Sequence, residues 1–205
     1  MKKLLTLIAL AAFTVTAQAQ HEEGESTIQP RIGITMSTLT DEEDAKMKLN
    51  LTYGIEFEYY VSDKLGLAAG VLFTNQGYQS DYYNLDNTKE TMKLDNYYTA
   101  IPITVNYYLI EGLAIKAGIQ PALRVKTRFK MGSEKLDLDD YLDLLFTNKE
   151  VTLNKFDLSI PVGLSYEYNR VTLDARYNIG LTKLYSGIDD SSRNSVITVT
   201  LGYKL

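Results

Sequence analysis

The sequence predicts an all-β protein: an eight-stranded antiparallel up-and-down transmembrane β-barrel, with a short helix in the loop between strands five and six. Three observations favour this fold class. The last fifty residues, Lys155 to Leu205, alternate apolar and polar side chains almost without error, as strands with two different faces do. The connections between predicted strands alternate between long and short. Sixteen tyrosines and six phenylalanines accompany an absence of tryptophan, a balance that suits strands and membrane interfaces.

Residues 1–19 have the pattern of a signal peptide. Two lysines precede an apolar run from Leu4 to Val15, and Ala17-Gln18-Ala19 supplies the small residues that signal peptidase recognises. We therefore expect Sec-type export with cleavage near Ala19. The apolar run is shorter than the ~20 residues of a spanning helix, which makes an N-terminal membrane anchor the less favoured interpretation.

Composition excludes several classes of exported protein. The chain has no cysteine, so we expect neither a disulfide-stabilised secreted domain nor a lipoprotein anchored through cysteine. Removal of Lys2 and Lys3 with the signal peptide subtracts two positive charges and takes the formal net charge from -5 to -7. This acidic balance argues against nucleic acid as a partner. We expect no cofactor.

The next part of the chain predicts five strands. Residues 20–29 are short and polar and predict a flexible periplasmic lead-in, and residues 30–205 form the predicted barrel domain. Ser62-Asp63-Lys64 and Glu111-Gly112 are tight-turn signals. Long polar connections separate the other strands: Thr38 to Lys46, Asp81 to Lys93 and Met131 to Asn154. The predicted strands are Arg31 to Ser37, Leu49 to Val61, Leu65 to about Gln79, about Asn96 to Ile110, and Leu113 to about Lys130.

Three further strands complete the predicted barrel: Phe156 to Tyr168, Val171 to Thr182, and Val196 to Leu205. The first two are joined by Asn169-Arg170, and Tyr185 to Asn194 is the last long loop. Long loops thus follow strands one, three, five and seven. An even number of strands with all long loops at one end is typical of an outer-membrane barrel inserted from the periplasm. Pairing the first strand with the last would satisfy every backbone group, as hydrocarbon requires.

The connection after strand five predicts a short amphipathic helix over 136–146. Leu138, Tyr141 and Leu142 share one face of such a helix, and aspartates crowd its beginning, where the helix dipole favours anions. We expect this helix either to cover the barrel mouth or to dock a partner. Calcium is not expected, because the glycine and the terminal glutamate of an EF-hand loop are missing.

A soluble barrel of the lipocalin kind has the same two faces turned inside out. Its interior would have to hold many aromatic rings in a space that eight strands make just wide enough for side chains. Turned outward, tyrosines near the strand ends form an aromatic girdle at the membrane interface. The predicted girdle residues are Tyr59, Tyr107, Tyr166, Tyr168 and Tyr203.

The polar face predicts a charge network inside the lumen, in which acids and bases nearly balance. A lysine or arginine facing lipid at mid-bilayer would cost about 2–4 kcal/mol, whereas opposite charges inside the barrel can pair. The alternative is a narrow ion pore with an anion-attracting mouth formed by Arg124, Lys126 and Arg128. A side-chain-filled interior argues against the passage of anything beyond small ions. The predicted network contains Arg31, Glu56, Glu58, Lys116, Arg124, Lys126, Arg128, Asp157, Glu167, Asp174 and Arg176.

Catalysis is not expected. The single histidine, His21, lies in the lead-in, so a Ser-His or Asp-His arrangement on a strand is excluded. Glu56 and Glu58 are paired acids on strand two, and neutralisation of the basic residues on strand five explains them. No spacing of histidine or cysteine suits a metal.

Three segments resemble a known family. Ala100 to Tyr108 (AIPITVNYY) and Ser159 to Tyr168 (SIPVGLSYEY) resemble the "I-P" strands of the PorT-type outer-membrane β-barrel family, and Arg176 to Thr182 (RYNIGLT) resembles its seventh strand. The resemblance covers the whole chain and suggests a small, OmpX-like barrel. It implies the outer membrane of a Gram-negative envelope and, for some members, a link to protein secretion. Leu205 departs from the phenylalanine that is common at the end of outer-membrane barrels, where the insertion machinery binds.

The resulting functional hypothesis is a monomeric, non-enzymatic integral outer-membrane protein with a structural or interaction role through its extracellular loops, and with assistance to protein secretion as a further role. Its expected partners are outer-membrane lipid, the barrel-insertion machinery and an unidentified protein at the loops. A narrow ion pore is the alternative, and a soluble lipocalin-like binding barrel is less favoured.

Overall fold

The computed structural model describes residues 21–40, 46–83, 89–131, 134–137, 152–186 and 192–205. Among these residues, no helix is long and apolar enough to span a bilayer. In chain order the strands are β1 (Ser26–Leu39), β2 (Lys48–Ser62), β3 (Leu65–Tyr83), β4 (Lys89–Ala100), β5 (Ile103–Ile110), β6 (Leu113–Met131), β7 (Glu134–Asp137), β8 (Thr152–Leu153), β9 (Phe156–Tyr168), β10 (Val171–Lys183), β11 (Tyr185–Ser186) and β12 (Arg193–Tyr203).

Eight barrel strands form one antiparallel ring. They are β1, β2, β3, the combined β4 and β5, β6, β9, β10 and β12, and each pairs with the next. The ring closes where β1 pairs with β12, from Arg31 opposite Gly202 to Leu39 opposite Asn194. Every barrel strand therefore has a neighbour on both sides, as a bilayer demands. The predicted all-β, up-and-down antiparallel barrel is confirmed.

Pro102 divides the fourth barrel strand into β4 and β5 without opening the ring. Proline has no N–H to donate to a neighbouring strand. The flanking groups keep their partners: the Ile101 N–H donates to the Pro121 carbonyl at 2.8 Å, and the Pro102 carbonyl accepts from the Gly70 N–H at 3.0 Å. The predicted strand from Asn96 to Ile110 is thus two segments that continue one another.

The two faces of the barrel have the polarity of a membrane protein. On β2, Leu51 is 66% exposed, whereas Glu56 is fully buried, the reverse of what water would require of a soluble barrel. Outward apolar side chains on this strand run from Leu49 to Tyr59. About ten residues rising about 3.3 Å each at a tilt near 40° cover about 25 Å, the height of an outer-membrane apolar band.

The two ends of the barrel differ. Tight turns join β2 to β3, β5 to β6 and β9 to β10 at one end, which we call the periplasmic end; the opposite end is the extracellular end. β3 and β6 are 19 residues long each, more than the roughly 9 to 11 that cross a bilayer, and their extra length lies at the extracellular end. β7 pairs with the end of β6, and β8 pairs with β11.

The segment Asp81 to Lys93, predicted as a connection, belongs largely to the hairpin of β3 and β4. Their ladder continues to the pair of Tyr83 with Lys89. Beyond the membrane both faces of a strand meet water, so the apolar-polar alternation disappears although the pairing continues. Hydrogen bonds from Lys46, Lys89 and Thr91 hold the pKa of Asp81 in this extension below its usual range.

The predicted lead-in, residues 20–29, contains the start of β1. This strand begins at Ser26, opposite Tyr59 of β2. Thr27 is buried and Ile28 is exposed, so the alternation of a barrel strand starts before the proposed domain boundary. A single apolar residue among polar neighbours carried too little signal to show it. Residues 1–19 lie outside the described residues, and their signal-peptide assignment stays a prediction.

The start of the predicted helix over 136–146 is wrong. Leu136 and Asp137 belong to β7, where they pair with Phe129 and Arg128 of β6. A strand end that is already paired imposes its extended backbone on the next residues, and this overrides a helical pattern of side chains. Residues 138–146 of the predicted helix lie outside the described part of the chain.

The turn between β5 and β6 depends on Gly112. Its φ of 75° is left-handed, and an added Cβ would lie 2.5 Å from the carbonyl oxygen of Glu167. We expect Gly112→Ala to lower the free energy of unfolding by at least about 1–2 kcal/mol, the cost of this conformation for an L-residue. Urea unfolding in lipid vesicles would measure it. Asp63→Ala, in the exposed turn between β2 and β3, is the control; equal losses in both variants would contradict the role of Gly112.

Candidate functional site

Five charged side chains meet in the middle of the barrel, and we call them the lumen cluster. Their side chains are 1% to 3% exposed, so water is almost completely excluded from them. Alternation along four strands points all five inward, because inward residues recur at every second position. The members are Arg31 of β1, Glu56 of β2, Lys116 of β6, and Asp174 and Arg176 of β10.

The carboxylate of Glu56 on β2 binds cations from three other strands, β1, β6 and β10. One carboxylate oxygen, Oε1, lies 2.8 Å from Arg31 Nη2 and 3.5 Å from Lys116 Nζ. The other, Oε2, lies 2.7 Å from Arg176 Nη2. Such short contacts between ionised groups are the stronger class of hydrogen bond.

Asp174 is the second acceptor and binds the same three cations. Arg176 donates from Nε to Oδ1 at 2.6 Å, and Lys116 Nζ lies 2.9 Å from Oδ2. Arg31 Nη1 completes the set at 3.3 Å from Oδ2. Opposite charges therefore pair across the lumen at these five positions.

The lumen cluster carries a formal charge of +1, since three cations face two carboxylates. Burial of such ions is tolerated only when each one keeps its counter-ion, because desolvation costs several kcal/mol per ion. The cluster also fills the cross-section. A cavity of about 10 Å³ beside Arg31, Asp174 and Arg176 is about the space of one water molecule.

A second group, the periplasmic cluster, fills the barrel closer to the periplasmic end. Its centre is Glu58, which accepts hydrogen bonds from Asn106 at 2.6 Å, Tyr108 at 2.9 Å and Tyr60 at 3.1 Å. Lys204 contacts the Tyr60 hydroxyl and lies 3.5 Å from the Glu58 carboxylate. The cluster comprises His21, Glu58, Tyr60, Asn106, Tyr108, Glu167 and Lys204.

The two clusters are connected and offset each other's charge. Gln29 donates to Glu58 at 3.1 Å and accepts from Arg31 at 2.8 Å, which links one cluster to the other. In the periplasmic cluster two carboxylates, Glu58 and Glu167, face one lysine, Lys204, so its formal charge is -1 with neutral histidine. The sum over both clusters is zero.

His21 belongs to the periplasmic cluster, although the sequence placed it in a flexible segment. Its ring stacks on Tyr60 with centroids 3.8 Å apart, and it is 8% exposed. Nε2 lies 3.0 Å from the Glu167 carboxylate and Nδ1 lies 3.3 Å from Glu25. Among the described residues its hydrogen-bond partners are these two acids and Lys204, and none is a serine or threonine hydroxyl. This is the arrangement of a packed, hydrogen-bonded histidine.

Asp157 faces the lumen but lies outside the ion-pair clusters. It is 6% exposed and accepts hydrogen bonds from Thr182 at 2.8 Å and Asn194 at 3.4 Å. Two neutral donors, rather than a cation, therefore satisfy this carboxylate near the extracellular end. Alternation could predict its direction, whereas the choice of partner depends on which strands lie opposite.

The three basic residues at the end of β6 do not share one face of the barrel. Tyr98 pairs with Arg124 and Tyr97 pairs with Lys126, so Val125 is an extra residue in a bulge. A bulge reverses which residues point inward along the rest of the strand.

Thr127 consequently points inward and is fully buried, and Arg128 points outward over the Tyr97 ring at 5.3 Å. Arg124, before the bulge, contacts Thr127. Lys126 lies half-buried at the bulge, and Arg128 is exposed. The prediction that Arg128 faces the lumen is wrong, and no basic mouth is formed by the three together.

All five predicted girdle tyrosines lie at the periplasmic end with their rings outward. Tyr59, Tyr107, Tyr168 and Tyr203 are exposed, and Tyr166 is half-buried. Each lies within a few residues of the end of its strand, at β2, β5, β9 or β12. This is where an interfacial aromatic ring is expected, although their action as membrane anchors stays a prediction.

Known structures share this fold. The crystal structure of Ail, the attachment invasion locus protein of Yersinia pestis, is 16% identical with a TM-score of 0.50, over 89% of this chain and 99% of that chain. The crystal structure of Neisserial surface protein A is 12% identical with a TM-score of 0.57, over 88% of this chain and 99% of that chain. At these identities the likeness shows the fold alone.

Comparison of sequences gives the family. No curated protein sequence matches the chain significantly. The model of the family described as outer membrane protein beta-barrel domain matches residues 17–186, which is most of the chain and includes both clusters except Lys204. The chain therefore belongs to the outer membrane protein beta-barrel domain family, and its location is the outer membrane.

Proposed function

We propose that this protein is a closed, non-enzymatic outer-membrane barrel that acts through its extracellular surface rather than by transport. The observation that carries the proposal is the lumen cluster: five ionic side chains at most 3% exposed fill the cross-section. A pore needs a continuous water-filled path. The two buried clusters, one after the other along the lumen, leave no such path at their depths in the barrel. The lumen then serves stability, and recognition is left to the strand extensions and the loops beyond them.

The extracellular extensions support an interaction role. β3, β4 and β6 continue past the apolar band, and β7, β8 and β11 add further paired backbone there. Extended, paired strands provide a rigid base on which loops can present binding residues. A protein partner at this end fits the proposal, and the closed ring favours a monomer because no barrel strand needs a partner from a second copy.

The finer parts of the proposal rest on the sequence. Export by the Sec route with cleavage near Ala19 would place His21 one residue after the new N-terminus, at the periplasmic mouth. The resemblance to the PorT-type family supports assistance to protein secretion as the biological role. Insertion machinery and outer-membrane lipid are the partners that any such barrel requires.

Two measurements test this function. The purified protein in planar lipid bilayers should give no discrete current steps at neutral pH, because both clusters block ions. Deletion of the gene in its host, followed by comparison of secreted and periplasmic proteomes, should show a defined set of exported proteins retained in the periplasm. Regular current steps from the wild-type protein would favour the narrow pore instead. Unchanged proteomes would remove the secretion role and leave a structural or adhesive barrel.

A further inference from the structure

The barrel wall has a break between β2 and β3 near the extracellular end. Their ladder runs from Ser62 opposite Leu65 up to Thr52 opposite Thr74. The next pairing between these segments is the isolated bridge of Lys46 with Gln79. Between these two points the strands separate.

The strands separate because the hairpin of β3 and β4 bends toward the lumen, to the inner side of β1 and β2. Phe73, Asn75 and Gly77 share one face of β3, and Phe73 points out of the barrel with 46% exposure. Two residues further on, the backbone of β3 lies against the inward side chains of β1. Thr35 Oγ1 donates to the Asn75 carbonyl at 2.8 Å, and Ser37 Oγ donates to the Gly77 carbonyl at 2.8 Å.

A bond between side chains fixes the same displacement on β4. Lys48, which points inward from β2, pairs with Asp95 of β4 and donates to the Leu94 carbonyl at 3.3 Å. Asn75 also donates to Asp95, at 2.9 Å. The recessed hairpin leaves a cavity of about 640 Å³ in the outer wall, which we call the wall groove. This volume lies in the range of small-molecule sites, about 300–1,000 Å³.

The lower part of the wall groove is apolar and lies in the lipid-facing band. It is lined by Leu51, Tyr53, Phe73 and Val125, all outward and exposed. Tyr53 and Phe73 are cross-strand neighbours with ring centroids 5.6 Å apart. Such a surface suits an acyl chain, because its lining is apolar and no polar group has to be desolvated there.

The upper part of the groove carries two facing lysines. Lys93 of β4 and Lys130 of β6 are directly opposite in the ladder and both line the groove. Like charges at opposite positions destabilise a sheet. Within the part of the chain that the structure describes, neither ammonium forms a close ion pair. The third lysine of the groove, Lys48, is paired with Asp95, whose carboxylate also attracts Lys130 at longer range. The groove thus holds a local charge of +2 above an apolar floor.

We propose that the wall groove binds one lipid with a phosphate monoester head from the outer leaflet. The phosphate lies between Lys93 and Lys130, and the acyl chain lies along Leu51, Phe73 and Val125. A phosphate monoester carries a charge of about -1.5 to -2 at neutral pH, which matches two ammonium groups better than the single charge of a carboxylate. The wall groove does not include the lumen cluster, so the proposed lipid site does not depend on whether the barrel conducts ions.

The test is binding of 1-oleoyl lysophosphatidic acid to the full-length protein in zwitterionic micelles. Native mass spectrometry counts the bound molecules, and a titration gives the affinity. We expect one molecule per barrel, and at least about tenfold weaker binding in the double variant Lys93→Gln/Lys130→Gln, since two charge-assisted contacts are lost. Lys64→Gln/Lys155→Gln removes the same charge from exposed positions away from the groove and should bind like the wild type.

Two comparison ligands identify the chemistry. Oleate has the same chain with a carboxylate, and inorganic phosphate has the head without a chain; both should bind at least about tenfold more weakly. Equal binding of oleate would make the occupant a free fatty acid and overturn the proposal, as would equal binding of inorganic phosphate. Equal affinity of both double variants for the lysophospholipid would also overturn it. A shift between boiled and unboiled samples in gel electrophoresis verifies that each variant is folded.

Discussion

Replacement of Glu56 by glutamine should lower the free energy of unfolding by about 3–5 kcal/mol, the usual cost of breaking a buried ion pair by removing one partner. Glu56 lies within 3.5 Å of Arg31, Lys116 and Arg176. Without its charge, the lumen cluster contains three cations and one carboxylate, so its formal charge rises from +1 to +2. Urea unfolding in lipid vesicles, followed by tyrosine fluorescence and by gel mobility, would measure the loss.

The matched variant is Lys116→Gln, which removes a charge of the opposite sign from the same cluster. Two arginines would then face two carboxylates, and both acids would keep close partners: Arg176 Nη2 at 2.7 Å from Glu56 and Arg176 Nε at 2.6 Å from Asp174. We expect a clearly smaller loss than for Glu56→Gln. Equal losses in the two variants would show that lost packing, rather than unbalanced charge, sets the stability of the lumen.

The architecture could be predicted because its determinants are local. Alternation identifies the inward and outward side of each strand, and turn lengths order the strands into a meander. Within this scheme Arg31, Glu56 and Asp174 had to point into one narrow lumen. Their meeting at one level depends on the stagger between strands, which is a property of the closed barrel. The sequence therefore predicted the members of the lumen cluster and not their contacts.

The errors arise where alternation fails. Val125 shifts the phase of β6 by one residue, and the sequence on both sides is compatible with either phase, since basic residues recur at 124, 126, 128 and 130. Thr127, a polar residue on the side that is apolar at Leu123 and Val125, was the available signal, and the apolar Phe129 on the same side concealed it. His21 lies before the first strand, where no alternation of apolar and polar residues could predict its burial. Its burial follows from the stack on Tyr60 and the contact with Glu167, which are distant in sequence.

The wall groove could not be predicted for a related reason. It requires the backbone of β3 to lie against the inward side chains of β1, which simple alternation in a barrel wall does not predict. Gly77 has a φ of 152°, and an added Cβ would lie 2.0 Å from the Leu94 carbonyl oxygen. A glycine in a strand is a general sign of close backbone approach, but it does not say which strand approaches.

Replacement of Lys204 by glutamine should produce a loss of about 3–5 kcal/mol as well, but one that depends on pH. Glu167 would remain buried without its lysine, whereas Glu58 would keep the attraction of Lys116 and the hydrogen bonds from Asn106 and Tyr108. Glu167 of the native variant would then bind a proton more readily than it does in the wild type, where Lys204 and His21 favour its charged form. Stability rises with falling pH when the native state binds more protons, so the deficit should shrink between pH 7 and pH 5.

The pH response distinguishes the two clusters. In Glu56→Gln the unbalanced charges include Arg31 and Arg176, and arginine cannot lose its proton in a protein, so that deficit should stay constant over the same range. His21 is the other ionisable side chain in contact with Glu167, at 3.0 Å. The double variant His21→Gln/Lys204→Gln isolates the carboxylates and should still recover at pH 5. The stability deficit could instead be equal at pH 5 and pH 7 in both Lys204 variants. That result would mean that packing of Tyr60 and Tyr108 stabilises the barrel, and that water replaces Lys204 as the partner of the two carboxylates.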